Sequence, residues 1–292
     1  MKRTSLVSAL LCALALAGCA ARPSAATVEA TTQSVQPVQP IADVAARVQA
    51  LLPLDALLLG EQHDAPDHQR IHREVIEALA ARGALAGVVL EMAMQGNSTV
   101  GLVGASEDAV RAALKWDEKA WPWAAYAPAI MAAVHAGVPV MGSNMARAQM
   151  GAAMQQPDLD QRLSGPALKA QQQLIRLGHC DLLPESQISP MTRIQIARDV
   201  AMANAVVEAH ANATNPASSA KTVVLLAGSG HVARALGVPL HLPPGLRAKS
   251  VLLVAGGTSE AGGKASDFDV VWAAAPVPAK DYCAGLKAKL PG

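Results

Sequence analysis

Residues 57–72 read LLLGEQHDAPDHQRIH. The stretch opens on apolar residues without polar alternation, the composition of a strand buried on both faces of a parallel sheet. The run stops at Gly60, and one glutamate, two aspartates and three histidines follow within the next twelve residues. From Asp67 to Arg82, Ile71, Val75 and Leu79 recur on one helical face, and Gly83 supplies a C-terminal stop. A buried strand that turns within a few residues into an amphipathic helix is the first half of a βαβ unit.

The same alternation recurs along the chain. AGVVLEM (86–92), VPVMGS (138–143), TVVLLAGSGH (222–231) and SVLLVAGG (250–257) share the continuous hydrophobicity of DALLLG (55–60), and DVVWA (269–273) reads as an edge strand. Residues 106–115 and 123–136 carry helical patterns. The pattern predicts an α/β fold, a mostly parallel sheet flanked by helices. Between Asn144 and about Thr214 no strand signal appears, while glutamine, alanine and methionine recur at helical spacing. The expected organisation is an α/β core over 43–143, a smaller helical subdomain over 144–214 whose last helix is free to return onto the sheet, and the second part of the core over 215–280.

The N-terminus has the pattern of an export signal. Lys2 and Arg3 precede an apolar run from Leu6 to Ala17, too short for a permanent bilayer span. It ends in LAGC (16–19), which resembles a bacterial lipobox, so Cys19 is the expected lipidation site after removal of residues 1–18; an ordinary cleaved signal is the competing reading. Residues 19–42 have the composition of a flexible tether. Ala20 after the cysteine, with no aspartate there, implies a lipid-anchored protein of the outer membrane that faces the periplasm.

Of 24 basic side chains two, Lys2 and Arg3, leave with the signal, against 23 acidic ones. Such a near-neutral domain has no electrostatic footprint for nucleic acid. Cys12 leaves with the signal and Cys19 takes lipid, so Cys180 and Cys283 remain. In an oxidising compartment two such thiols invite a disulfide. A thiolate ligand at Cys180, beside His179, is the alternative, and spacing alone does not decide between them.

In open α/β sheets, ligands bind outside the carboxyl ends of the strands. Three predicted strands end there in polar residues: Glu61, His63 and Asp64 after the first, Glu91 at the second, and Gly228-Ser229-Gly230-His231 after the fourth. A glycine followed three residues later by histidine thus occurs twice. Glycine permits close approach of backbone to a ligand, and histidine offers a nitrogen to a metal or a proton. Loop histidines satisfied at helix starts are the plain alternative. His68 and His72 share a helical face; His68, in the first turn, is placed to lean toward the strand edge, and His72 flanks the packing stripe.

The segments LLLGEQHD, VVLEM, WPWAAYAPAIMAAVHAGVPVMGSN, GHCDLLPE, RDVAMA and VVLLAGSGHV resemble the ChaN-type haem-binding lipoproteins, from about Leu51 to Val254. More distantly, the paired GxxH motifs are similar to those of the TIKI, TraB and erythromycin-esterase-like groups, some of which are hydrolases. The ChaN resemblance implies an α/β core with a smaller helical part, a role in bacterial haem or iron uptake, and haem held between two protomers of a homodimer. It also implies tyrosine coordination of the haem iron. Of the two tyrosines, Tyr126 and Tyr282, Tyr126 falls in the tryptophan-rich segment KAWPWAAYAPAI and is the expected ligand; a tyrosine simply packed on its helix is the competing reading. Glu61, His63, His68, Glu91, Arg147, Arg198 and His231 are the other expected haem-site residues, the arginines for propionates or for pairing with Glu61 or Glu91. Asp199 reads as a partner for an arginine, and Met191 and Met202 as gap-fillers in a helical layer.

A metal-dependent hydrolase is the alternative function. His63, His231 and Glu91 or Glu61 could ligate a catalytic zinc or manganese ion, or His63 could activate water beside Glu91 without one. Against both, the chain has neither a nucleophile elbow, since AGSGH around Ser229 lacks the G-x-S-x-G pattern, nor a zinc-protease motif. A third class is a structural envelope lipoprotein that binds neither haem nor metal.

Overall fold

A computed structural model describes residues 43–213, 221–256 and 264–287. The expected signal peptide, the Cys19 lipidation site and the tether up to residue 42 lie outside them.

The chain enters through α1 (Val44–Leu51), whose first turn is capped by the Asp43 carboxylate accepting from Ala46 N at 2.8 Å. β1 (Ala56–Glu61) then leads into α2 (Pro66–Ala81), with Pro66 at its first turn and Gly83 at φ +65° just past its end. β2 (Leu85–Met94), α3 (Glu107–Ala113), α4 (Trp123–His135) and β3 (Val140–Asn144) follow. α5 (Arg147–Met154), α6 (Gly165–Gly178) and the long α7 (Glu185–Ala213) fill the stretch in which no strand was expected. β4 (Thr222–Gly228), β5 (Ala248–Ala255), β6 (Val270–Ala274) and α8 (Tyr282–Lys287) complete the order.

The strands form one six-stranded sheet in the order β3-β2-β4-β1-β5-β6, and every strand pair is parallel. Strand parity sorts its two faces. Leu57 and Leu59 of β1, Val224 and Leu226 of β4, and Val251 and Leu253 of β5 join a core with α1, α2 and α4. Ala56 and Leu58, Val223 and Leu225, and Leu252 join the other core, against Met202, Ala203 and Val206 of α7. α7 therefore returns from the helical stretch to cover one face of the sheet.

This topology places a crevice. The connection after β1 leaves over the α2 face, whereas the chain after β4 crosses the other face to reach β5. β1 and β4 are neighbours, with Glu61 paired in register with Gly228. Connections that diverge from adjacent strands leave a gap at their carboxyl ends, the usual ligand position of such sheets. Cys180, in the turn between α6 and α7, is disulfide-bonded to Cys283 of α8, so the thiolate-ligand alternative does not hold.

Candidate functional site

The crevice is a cleft of roughly 580 Å³, within the range of small-molecule sites. Glu61, His63 and Asp64 line it from β1, Glu91 from β2, Gly228 to His231 from β4, and Gln195 and Arg198 from α7. Leu252 to Ala255 of β5 and Tyr282 complete the lining.

Parity sends the two glutamates to opposite faces. Glu61 continues the Leu57, Leu59 row toward α2 and α4. Its carboxylate accepts from Tyr126 Oη at 2.6 Å, from His63 Nδ1 at 2.7 Å and from Gln69 Nε2 at 2.9 Å. His72 Nδ1 lies 3.6 Å away in full burial. Burial opposes the charge of Glu61, but His63, His72 and the Tyr126 hydroxyl hold its carboxyl below the usual range. Glu91 faces α7 and accepts from Arg198 Nη2 at 2.5 Å and Gly228 N at 2.6 Å, with His231 Nε2 at 3.4 Å. Burial again opposes ionisation, and His231, His63 and Arg198 overcome it and hold Glu91 well below its ordinary value.

Two histidine–carboxylate pairs converge between these anchors. His63 is oriented by Glu61, packs edge-on against Trp121 at 4.7 Å between ring centroids, and has Nε2 3.9 Å from Glu91. Burial lowers its pKa, but the bond to Glu61 and the charges of Glu91 and Glu61 outweigh burial and leave it raised. His231 donates Nδ1–H to Asp199 at 2.5 Å. Against burial, Glu91 and Asp199 push His231 up to about 9, while burial lifts Asp199 to about 6 despite the histidine. Both GxxH motifs thus deliver their histidines to one cleft. A Cβ on Gly228 would lie 2.9 Å from His63 Nε2, which is why the second motif begins with glycine.

Of the residues expected at the site, Glu61, His63, Glu91, Arg198 and His231 meet at the cleft. Three do not. Tyr126 is only 1% exposed, with its phenol spent on Glu61. Burial, then the charge of Glu61, push its pKa far above the ordinary phenol value. The phenol lies outside the cleft lining, and Tyr126 holds the carboxylate that orients His63. His68 is fully buried and accepts from Gln62 N at 2.9 Å, so it props the loop from behind. Arg147 is exposed at the start of α5, away from the cleft.

Sequence reading passed over Gln195 and Tyr282 and gave Asp199 only a pairing role. Gln195, Arg198, Asp199 and Met202 follow i, i+3, i+4, i+7 spacing, the signature of one helix face, which could have found the first and the last polar member together. Tyr282 had one signal, its place beside Cys283, since a bond to Cys180 brings it toward the carboxyl edge. Among the described residues, no group of three or more His, Cys, Asp or Glu side chains is arranged to hold a metal ion. The carboxylates are already taken by protein donors, and the zinc or manganese alternative finds no support.

A search of curated proteins returned no match. Among solved structures, that described as cofacial heme binding to ChaN of Campylobacter jejuni is 23% identical, covers 77% of this chain and 89% of its own, and superposes with a TM-score of 0.58, a likeness of fold. The type III effector HopBA1 is 17% identical over 84% of this chain and 100% of its own, at a TM-score of 0.48. The family model described as haem-binding uptake, Tiki superfamily, ChaN, matches residues 47–242. That span runs from α1 through both GxxH motifs, and the chain belongs to this haem-binding uptake family.

Proposed function

We propose that the cleft at the carboxyl edge of the sheet binds haem for bacterial haem or iron uptake, with Tyr282 as the iron ligand. The observation that carries this reading is Tyr282 itself. It is the tyrosine that lines the cleft, 48% exposed, together with residues of β5. Haem needs an apolar slot, an axial donor and a cation for its propionates. Val254 and Ala255 at the end of β5, the Tyr282 phenol and Arg198 are candidates for these three roles. Tyr282 Oη donates to Asp64 at 2.9 Å, so Asp64 is placed to take its proton when ferric iron binds. We further propose lipidation at Cys19, an outer-membrane anchor facing the periplasm, and two copies closing around haem. The lipobox-like LAGC supports the first, Ala20 after the cysteine the second, and the description of the Campylobacter relative, which speaks of cofacial heme, the third.

The test is a haemin titration followed by absorption spectroscopy. Saturable binding with a high-spin ferric spectrum that changes in Tyr282→Phe but not in Tyr126→Phe is the expected result. Loss of the spectrum in Tyr126→Phe alone would overturn the ligand assignment, and absence of saturable binding would overturn the haem reading.

A second reading rests on the two histidine–carboxylate pairs. His63 on Glu61 has the arrangement of a general base, and His231 on Asp199 that of an acid, with Glu91 between them. Metal-free hydrolysis of an ester or peptide would need this set, and activity lost in His63→Gln would favour it.

A further inference from the structure

After β6 the chain runs without helix or strand from residue 275 to 281, and no residue from 276 to 281 is buried. The segment is nevertheless fixed at three points. Ala275 N donates to Asp67 Oδ2 at 2.7 Å, at the start of α2. Asp64, in the loop after β1, accepts from Lys280 Nζ at 3.1 Å and from Tyr282 Oη at 2.9 Å, and Gln62 Nε2 donates to the same phenol at 3.1 Å. Cys283 is bonded to Cys180 in the turn between α6 and α7. The anchors thus reach α2, on one face of the sheet, and the turn that leads into α7, which covers the other, and Tyr282 lines the cleft.

The anchors are unequal. The Lys280–Asp64 pair is exposed on both sides, and such pairs contribute little. Its apolar burial is slight, with Ala275 and Val277 half-buried and Pro276 beside Gly256. The disulfide is its covalent hold beyond Ala275.

We propose that residues 275–283 form a strap across the cleft mouth, latched by the Cys180–Cys283 bond, so that reducing this bond opens the cleft and releases its ligand. Access through the mouth follows from geometry alone; the identity of the released ligand rests on the haem reading above. The reductant is a dithiol. Its thiolate attacks one sulfur of the bond to give a mixed disulfide, and its second thiolate resolves that intermediate. Two electrons and two protons pass to Cys180 and Cys283, which become thiols, while the dithiol becomes a disulfide.

The test compares the oxidised protein with protein reduced by dithiothreitol, alkylated with iodoacetamide and freed of reagent. Diethyl pyrocarbonate labelling of His63, mapped by mass spectrometry, reads access to the cleft without any ligand. Haemin release to apomyoglobin reads retention. The expected result is at least fivefold faster His63 labelling and at least tenfold faster haemin release after reduction. The Cys180→Ser/Cys283→Ser variant is expected to match, with buried His68 unlabelled throughout. Equal His63 labelling in both states would overturn the strap. Labelling of His68 as fast as His63 would show unfolding and would also overturn it. Faster labelling with unchanged haemin release would overturn the release step. Should haemin bind neither form, the haem reading fails, and His63 labelling still decides the strap.

Discussion

The Tyr126 hydroxyl donates to Glu61 Oε1 at 2.6 Å, and the same oxygen accepts from His63 Nδ1 at 2.7 Å. One carboxylate oxygen thus joins α4 to the loop that carries the first GxxH histidine. Tyr126→Phe removes a donor from a buried charge without opening a cavity. Hydrogen bonds to charged groups contribute about 1.5–3 kcal/mol, and that loss is expected in urea or guanidinium unfolding. The haemin spectrum is expected to stay as in the parent, because the phenol never reaches the cleft. A loss below about 0.5 kcal/mol would mean that Gln69 and His63 alone satisfy Glu61.

Two histidines predict opposite limbs of a pH–stability profile. Glu91 and Asp199, outweighing burial, raise His231 to about 9 from 6.5. A base raised on folding contributes stability that is complete below its unfolded value and is lost as pH rises through about 9. Burial, helped by His72, lowers His68 to about 4. Its neutral form is the favoured one, so its contribution is complete above 6.5 and is lost as pH falls toward about 4. Denaturant midpoints measured between these limits should fall on both sides of a maximum near neutrality. His231→Gln is expected to flatten the alkaline limb only. A titration of the His68 ring proton signals with a midpoint near 6.5 rather than 4 would contradict the buried, neutral assignment.

The fold was legible because every strand but β6 is an apolar run ended by a glycine or a charge, and helical periods fill the connections from β1 to β4. The register of Glu61 with Gly228 and the insertion of β4 between β2 and β1 were not, because strand order depends on long-range packing that periodicity does not carry. At the site, the GxxH spacing pointed to His63 and His231 directly. Tyr126 proved to lie behind the cleft on Glu61, a placement that composition does not carry, since a tryptophan-rich segment reads the same whether its tyrosine faces a ligand or a buried carboxylate. Tyr282 lay in a segment with no apolar period at all, and its position depends on a disulfide joining residues 103 apart.

Glu91 and Arg198 form the half of the site that faces α7. The guanidinium bonds Glu91 at 2.5 Å and Asn144 Oδ1 at 3.2 Å. Arg198→Ala leaves the carboxylate buried against Gly228 N and His231. Breaking a buried pair from one side costs about 3–5 kcal/mol, and the lower end is expected here because water reaches the arginine. Arg198→Lys keeps the charge but loses the second bond of the fork and should fall between the two. Since Glu91 is depressed on folding, its contribution is present above its ordinary value of 4.5 and is lost as pH falls. Arg198→Ala should therefore also blunt the acid limb of the same profile. An unchanged acid limb would assign that limb to Glu61 and His68 instead.

Gly228 gives the sharpest separation between site and fold. Its φ of −58° and ψ of 145° are open to alanine, so no backbone cost arises. The added Cβ would stand 2.9 Å from His63 Nε2 and 3.5 Å from Glu91 Oε2. The first distance is too short, and the group that can yield is the partly exposed imidazole rather than the fully buried strand. His63 is expected to tilt Nε2 away from the new Cβ and from Glu91 while Nδ1 keeps its bond to Glu61. Gly228→Ala should then change stability by no more than about 1 kcal/mol. Haemin affinity should weaken by about tenfold, or roughly 1.4 kcal/mol of binding free energy. Thermal melting and a haemin titration on the same preparation read both quantities. Unfolding of the variant with affinity retained would place the strain in the strand and remove His63 from the ligand's path.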